Sequence, residues 1–149
     1  MIKNREIVTL LREIAILYEI KEEKFKSQAY RRASFGVEDT EKELAHIYNK
    51  TGIKGLLDVP GVGKNIAKHI EELITTGKLT RYERLKKEIP IDIAGIIKVP
   101  GIGPKTIKTL YEKLDIHTVE DLRNAAKAGA ISHVAGLKRV ELKVLSIYP

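Results

Sequence analysis

Leu57-Asp58-Val59-Pro60-Gly61-Val62-Gly63-Lys64-Asn65-Ile66-Ala67 is the stretch that decides how this chain folds. Its pattern returns as Ile97-Lys98-Val99-Pro100-Gly101-Ile102-Gly103-Pro104-Lys105-Thr106-Ile107. Both copies read Val-Pro-Gly-apolar-Gly, then a basic residue, then apolar positions at helical spacing. Glycine permits the positive-φ or crowded backbone of a very tight turn. A glycine turn that opens a helix leaves amide N–H groups unpaired and pointing outward. Together with the positive end of the helix dipole, they suit an anion such as a phosphate.

Composition narrows the partner. The chain has 149 residues, with 27 Lys plus Arg against 20 Asp plus Glu, a formal charge of +7. Such a surplus attracts polyanions without dictating a fold. The absence of cysteine excludes disulfides, thiolate metal sites and cysteine nucleophiles. No apolar run approaches the roughly 20 residues that cross a bilayer. The start, Met1-Ile2-Lys3-Asn4-Arg5-Glu6, lacks a signal-peptide core. These features read as a soluble, cytoplasmic protein with no membrane partner. No symmetric apolar seam stands out, so a monomer is expected. Two copies of the turn in so basic a chain point to helix-hairpin-helix binding of DNA.

The rest of the sequence is helical. Ile7, Leu10, Leu11, Ile14 and Leu17 predict a first helix over residues 4–19. A second is predicted over 25–36, where Lys26 and Tyr30 share a face. Thr40-Glu41-Lys42-Glu43 reads as a capping box for a third helix ending near Lys50. The first turn feeds a helix to residue 76, closed by Gly77. Thr80-Arg81-Tyr82-Glu83 reads as a second capping box, and residues 91–98 as a short helix. Pro104 fits the first helical position after the second turn. Thr118 reads as the N-cap of a helix ending near Gly129. Val134-Ala135-Gly136-Leu137-Lys138 looks like a third, decayed turn that packs rather than binds, since Lys138 replaces the second glycine. No alternating strand pattern is present. The expectation is an all-α protein of two small helical domains, residues 1–79 and 80–149, each with a helix-hairpin-helix motif.

Phe25 to Ala33, the two turns, Thr76-Gly77-Lys78-Leu79 and Thr118-Val119-Glu120-Asp121-Leu122 together resemble the N-terminal region of family X DNA polymerases, to which DNA polymerase beta belongs. The likeness runs from about residue 4 to 147. It implies a lyase-type domain that holds the 5′-phosphate of a DNA gap, followed by a domain that grips the strand near the primer terminus. The polymerase palm is missing: no strand-borne Asp-x-Asp exists to hold two metal ions, and Asp92 and Asp115 are isolated. Polymerase activity from this chain alone is therefore not expected. A catalytic domain acting in cis or in trans is an implied partner.

The function expected is non-sequence-specific DNA binding at gapped, nicked or duplex DNA, in a setting such as base-excision repair. Gly61, Val62, Gly63, Lys64, Asn65 and Lys68, with Gly101, Ile102, Gly103, Lys105 and Thr106, are the expected backbone-phosphate contacts. Lys26, Tyr30, Arg31, Lys68 and Arg81 match the family's 5′-phosphate pocket. The alternative is a 5′-deoxyribose-phosphate lyase acting through a Schiff base. Here the sequence departs from the family, because His69 fills the nucleophile position and an imidazole cannot form that imine. Asn65 likewise replaces a basic pocket residue. Lys68 and Lys64 are the nearest substitute amines, with His69 as a proton acceptor. No cofactor is required for binding. The resemblance also implies a monovalent cation, sodium or potassium, on the backbone carbonyls of Leu57, Val59 and Val62, and of Ile97, Val99 and Ile102. Carbonyl oxygens suit hard cations. His46, His69, His117 and His133 lack zinc-ligand spacing.

Overall fold

The computed structural model describes residues 1–149 and is all-α, with ten helices and no strand. Backbone packing groups it into two compact units, Met1–Glu88 and Ile89–Pro149. The sequence reading begins its second domain at residue 80. The difference is one helix, Thr80–Glu88, which packs within the first unit. No helix is long and apolar enough to cross a membrane.

The first unit holds α1 (Asn4–Ile20), α2 (Lys24–Glu38), α3 (Leu44–Thr51), α4 (Ile53–Leu57), α5 (Lys64–Thr76) and α6 (Thr80–Glu88). The helical periodicity of α1 puts Ile7, Leu11, Ile14 and Leu17 at 0% exposure. Each such side chain contributes about 2 kcal/mol when withdrawn from water. α1 lies along α2, and the buried Ser27 hydroxyl donates to the Ala15 carbonyl at 2.8 Å. That bond satisfies a polar group that would otherwise be stranded in the interface. α6 reaches α1 through the Tyr82 hydroxyl, which donates to the buried Glu13 carboxylate at 2.7 Å.

Neither proposed capping box at Thr40 nor at Thr80 forms. Thr40 donates its hydroxyl to the Gly36 carbonyl and so closes α2 rather than opening α3. α3 starts at Leu44, and its cap comes from another helix. The Asn4 side-chain carbonyl accepts the Leu44 N–H at 2.8 Å, while Glu43 accepts the Asn4 N–H at 2.7 Å. Two helix N-termini thus cap each other, which a local motif search does not see. At residue 80 the backbone N–H and hydroxyl of Thr80 both donate to Glu72, at 2.9 and 2.7 Å. A carboxylate one helix away outcompetes the local box.

The first turn sits directly on α2. A Cβ on Gly36 would run into the Pro60 carbonyl, and one on Gly61 would come within 2.6 Å of the Arg32 carbonyl. Gly61 also has φ +83°. The two glycines allow turn and helix to meet backbone to backbone, which fixes α5 against α2.

The second unit holds α7 (Ile93–Ile96), α8 (Pro104–Leu114), α9 (Val119–Lys127) and α10 (Lys138–Ile147). α7 is shorter than the helix expected over 91–98: Asp92 caps its start by accepting the Gly95 N–H at 3.0 Å, and Ile97 closes its end. Pro104 is the first residue of α8, and Thr118 caps α9 with Asp121 closing a true capping box. Ile93, Ile96, Ile107, Leu110, Leu122, Ile131 and Val144 form the core. The third turn keeps the shape of the other two. Leu137 N–H bonds the Val134 carbonyl at 3.1 Å, as Val62 bonds Val59 and Ile102 bonds Val99, both at 3.1 Å. Gly136 carries the positive φ, +83°, so Lys138 does not prevent the turn.

Candidate nucleic-acid interface

In both full hairpins the two glycines do different things. The first, Gly61 or Gly101, takes the left-handed backbone, φ +83° and +90°. The second, Gly63 or Gly103, is extended, with φ −88° and −114°, a conformation open to any residue. A Cβ built on Gly63 or Gly103 meets nothing within 4 Å. The fold therefore does not demand glycine there. A bare backbone at that point serves whatever approaches from outside.

The amides beside it are free. α5 and α8 begin with no side-chain cap, unlike α7 and α9. The N–H groups of Gly63, Lys64 and Asn65, and of Gly103, Lys105 and Thr106, donate to no group in the chain. Val62 and Ile102 are buried beneath their turns and hold them in place. Lys64, Asn65, Lys68 and Lys105 are exposed, and none of these lysines enters an ion pair. Each turn thus presents donors and positive charge with no internal acceptor, an arrangement complementary to a phosphodiester.

A second cluster lies in the first unit. The Tyr30 hydroxyl and His69 Nδ1 are 2.6 Å apart, with the rings nearly parallel. Tyr18 packs on Tyr30 with ring centroids 5.6 Å apart. Arg81 donates to the Tyr18 hydroxyl at 3.1 Å, and the Lys26 ammonium stands 5.4 Å from the Tyr18 ring centroid. Burial raises the Tyr30 hydroxyl well above its ordinary pKa, helped by Tyr18 and opposed by Arg81. Burial and the Arg81 charge lower the pKa of His69, against a smaller pull from Glu72. Both influences favour the neutral imidazole.

Of the residues singled out as a 5′-phosphate pocket, Lys26, Tyr30 and Arg81 come together here. Tyr30 is only 5% exposed and spends its hydroxyl on His69. Arg31 turns to Glu19, 3.2 Å away, and Lys26 also pairs with Glu23 at 3.3 Å. Both are exposed pairs and easily redirected. Lys68 stays exposed on α5, outside the contacts that tie this cluster together. Tyr18 is a member the sequence reading missed. It sits in the apolar run of α1 and reads there as core, and only the fold of α6 brings Arg81 to its hydroxyl.

No cluster of three His, Cys, Asp or Glu side chains that could hold a metal ion exists in the chain. The carbonyls of Val59 and Val62 lie on the first turn and that of Leu57 at the end of α4; those of Val99 and Ile102 lie on the second turn and that of Ile97 at the end of α7. Val59 and Val99 also accept the closing bond of their turns.

Comparison with known proteins agrees with this geometry. Residues 2–79 match the family described as "Helix-hairpin-helix domain", and residues 93–141 match "SAM-like Helix-hairpin-helix tandem". The chain is 32% identical to the DNA polymerase/3′-5′ exonuclease PolX of Bacillus subtilis over 144 residues, 95% of this chain and 24% of that protein. It is 33% identical to DNA polymerase lambda of Arabidopsis thaliana over 122 residues, 81% of this chain and 22% of that protein. DNA polymerase lambda of Rattus norvegicus is 23% identical over 138 residues, 93% of this chain and 22% of its own length. The chain thus spans about a quarter, 24% and 22%, of the curated relatives it matches.

Proposed function

Because this chain belongs to the helix-hairpin-helix domain family, we propose that it is a non-sequence-specific DNA-binding module of a family X polymerase or polymerase-like repair protein. Its hairpins take backbone phosphates on the free amides of residues 63–65 and 103–106, with Lys64, Lys68 and Lys105 supplying charge. The observation that carries this reading is the second glycine of each hairpin. Gly63 and Gly103 answer no need of the fold, yet they leave bare backbone beside uncapped helix starts. Contacts of this kind position the protein on DNA and read no bases.

The Lys26, Tyr30, His69 and Arg81 cluster is the site for a terminal phosphate, so gapped DNA with a 5′-phosphate is the preferred form. The relatives are named as DNA polymerases, which supports a catalytic domain as the partner in cis or in trans. The turn carbonyls are a neutral oxygen donor set that fits a weakly held sodium or potassium ion, which would bridge turn and phosphate.

Fluorescence anisotropy at fixed salt tests the reading. Binding to a short gap with a 5′-phosphate is compared with the same gap lacking it and with intact duplex. Affinity should fall steeply as salt rises, as counterions are released from DNA. Failure to bind any of the three would overturn the DNA assignment.

A further inference from the structure

His69 has one nitrogen committed and one open. Nδ1 is held by the Tyr30 hydroxyl at 2.6 Å. Nε2 has no partner in the protein, yet it is not among the buried atoms lacking one, so it reaches solvent. Arg81, near enough to act on the His69 charge, bonds only the Tyr18 hydroxyl, and Lys26 stands over the Tyr18 ring. The charged groups facing His69 are Arg81 on α6 and Glu72 on α5, while Lys26 on α2 joins the cluster at the Tyr18 ring. Glu72 is engaged by both donors of Thr80, which keep it ionised. The ring therefore lies beside the Arg81 cation, with the one carboxylate already occupied.

We propose that His69 is a protonation-linked ligand for a DNA 5′-phosphate: neutral on Tyr30 in the free protein, and protonated when the phosphate enters beside Arg81 and Lys26. This rests on the reading of the cluster as a terminal-phosphate site. In the free protein the neighbouring Arg81 charge and partial burial disfavour imidazolium. An arriving phosphate cancels that repulsion and accepts a hydrogen bond from Nε2–H⁺. With Tyr30 donating to Nδ1 in the free protein, Nε2 already bears a hydrogen; the added proton comes from solvent and goes to Nδ1, which then donates to the Tyr30 hydroxyl oxygen. Tyr30 stays a neutral phenol throughout, because its burial disfavours the phenolate. A lysine at this position would be charged at all relevant pH. The histidine instead makes grip on the 5′-phosphate depend on pH.

The test uses the full chain and gapped DNA with and without a 5′-phosphate, at several pH values between about 6 and 8. The readout is the ratio of the two dissociation constants. The wild-type ratio should rise by about fivefold as pH falls across that window, within the tenfold per unit that one proton allows. The phosphate monoester titrates in the same range, so His69→Gln supplies that background and should lose the extra rise. His69→Lys should hold a high ratio with only that background. Calorimetry in two buffers of different ionisation enthalpy should show proton uptake by wild type in excess of His69→Gln. A 5′-phosphate preference whose pH response is the same in wild type and His69→Gln overturns the protonation linkage and leaves the pocket standing. Binding to both gaps with no preference at any pH overturns the pocket as well.

Discussion

The Tyr30 hydroxyl lies 2.6 Å from His69 Nδ1 and joins α2 to α5, at the position where the resemblance to family X polymerases implies a lysine nucleophile. This chain has no amine there, and its imidazole is tied down. Replacing His69 with lysine would restore a primary amine there, charged for the most part near pH 7, whose small free-base fraction is the nucleophile that can form the imine. His69→Lys is expected to give a borohydride-trapped adduct with pre-incised abasic DNA, while wild type gives none. A wild-type adduct of equal yield would show that Lys64 or Lys68 already serves.

The two glycines of the second hairpin should separate turn formation from ligand approach. Gly101→Val forces a β-branched residue to φ +90°, a strain of roughly 1–3 kcal/mol that should lower the melting temperature and weaken DNA binding together. Gly103→Val meets open space at an extended φ, so its melting temperature should stay near wild type. Its DNA affinity should still fall by about tenfold, the loss of roughly one charge-assisted hydrogen bond to phosphate. Undiminished affinity in Gly103→Val would remove the second hairpin from the interface.

Gly36 offers a test of how the first turn is docked. Alanine is normally a better helix residue than glycine by about 1 kcal/mol. Here its methyl group would enter the Pro60 carbonyl, part of a rigid backbone. Gly36→Ala should therefore destabilise the first unit by about 2 kcal/mol or more, despite its helix propensity. Chemical denaturation would read it.

Asn4 caps α3 from α1. Its side-chain amide also donates to the Lys42 carbonyl at 2.8 Å, beside the bond from Leu44. Asn4→Ala should cost about 1–2 kcal/mol, the range of a lost N-cap. Glu43→Gln, which keeps an acceptor for the Asn4 N–H, should cost less. Equal losses would mean that charge rather than the reciprocal cap holds the two helix starts together.

His117 makes the second unit pH-sensitive. Nε2 lies 2.7 Å from Asp115 and Nδ1 lies 3.0 Å from the Pro90 carbonyl, so both ring nitrogens face acceptors. Its pKa is raised by the Asp115 hydrogen bond first and the Pro90 carbonyl second. The folded protein holds this proton more tightly than the unfolded chain. The contribution is complete below the unfolded histidine pKa, about 6.5, and is lost as pH rises through the higher folded value. His117→Gln should flatten that part of the stability profile, measured as melting temperature against pH. An unchanged slope would show that the pair is fully screened by solvent.

Much of this was legible in the chain. The repeated Val-Pro-Gly-apolar-Gly fixed two turns and the helices after them, since positive φ at the first glycine and the helical stripe that follows are local properties. Proline at the start of α8 and the N-cap at Thr118 were equally local, while the Asp121 half of the Thr118 box appeared only in the structure. The capping boxes at Thr40 and Thr80 were misleading for a physical reason. A threonine hydroxyl bonds the best acceptor it meets, and Gly36 and Glu72 come near only after folding. The sequence by itself determined the helices, the paired hairpins and the positive charge, because these follow from backbone propensity and composition. Only the tertiary structure decided that Gly36 and Gly61 let the first turn meet α2, and that Tyr18, Tyr30, His69 and Arg81 form one cluster. Those contacts join residues far apart in the chain, and burial changes their chemistry: it takes water from His69 and sets Arg81 beside it.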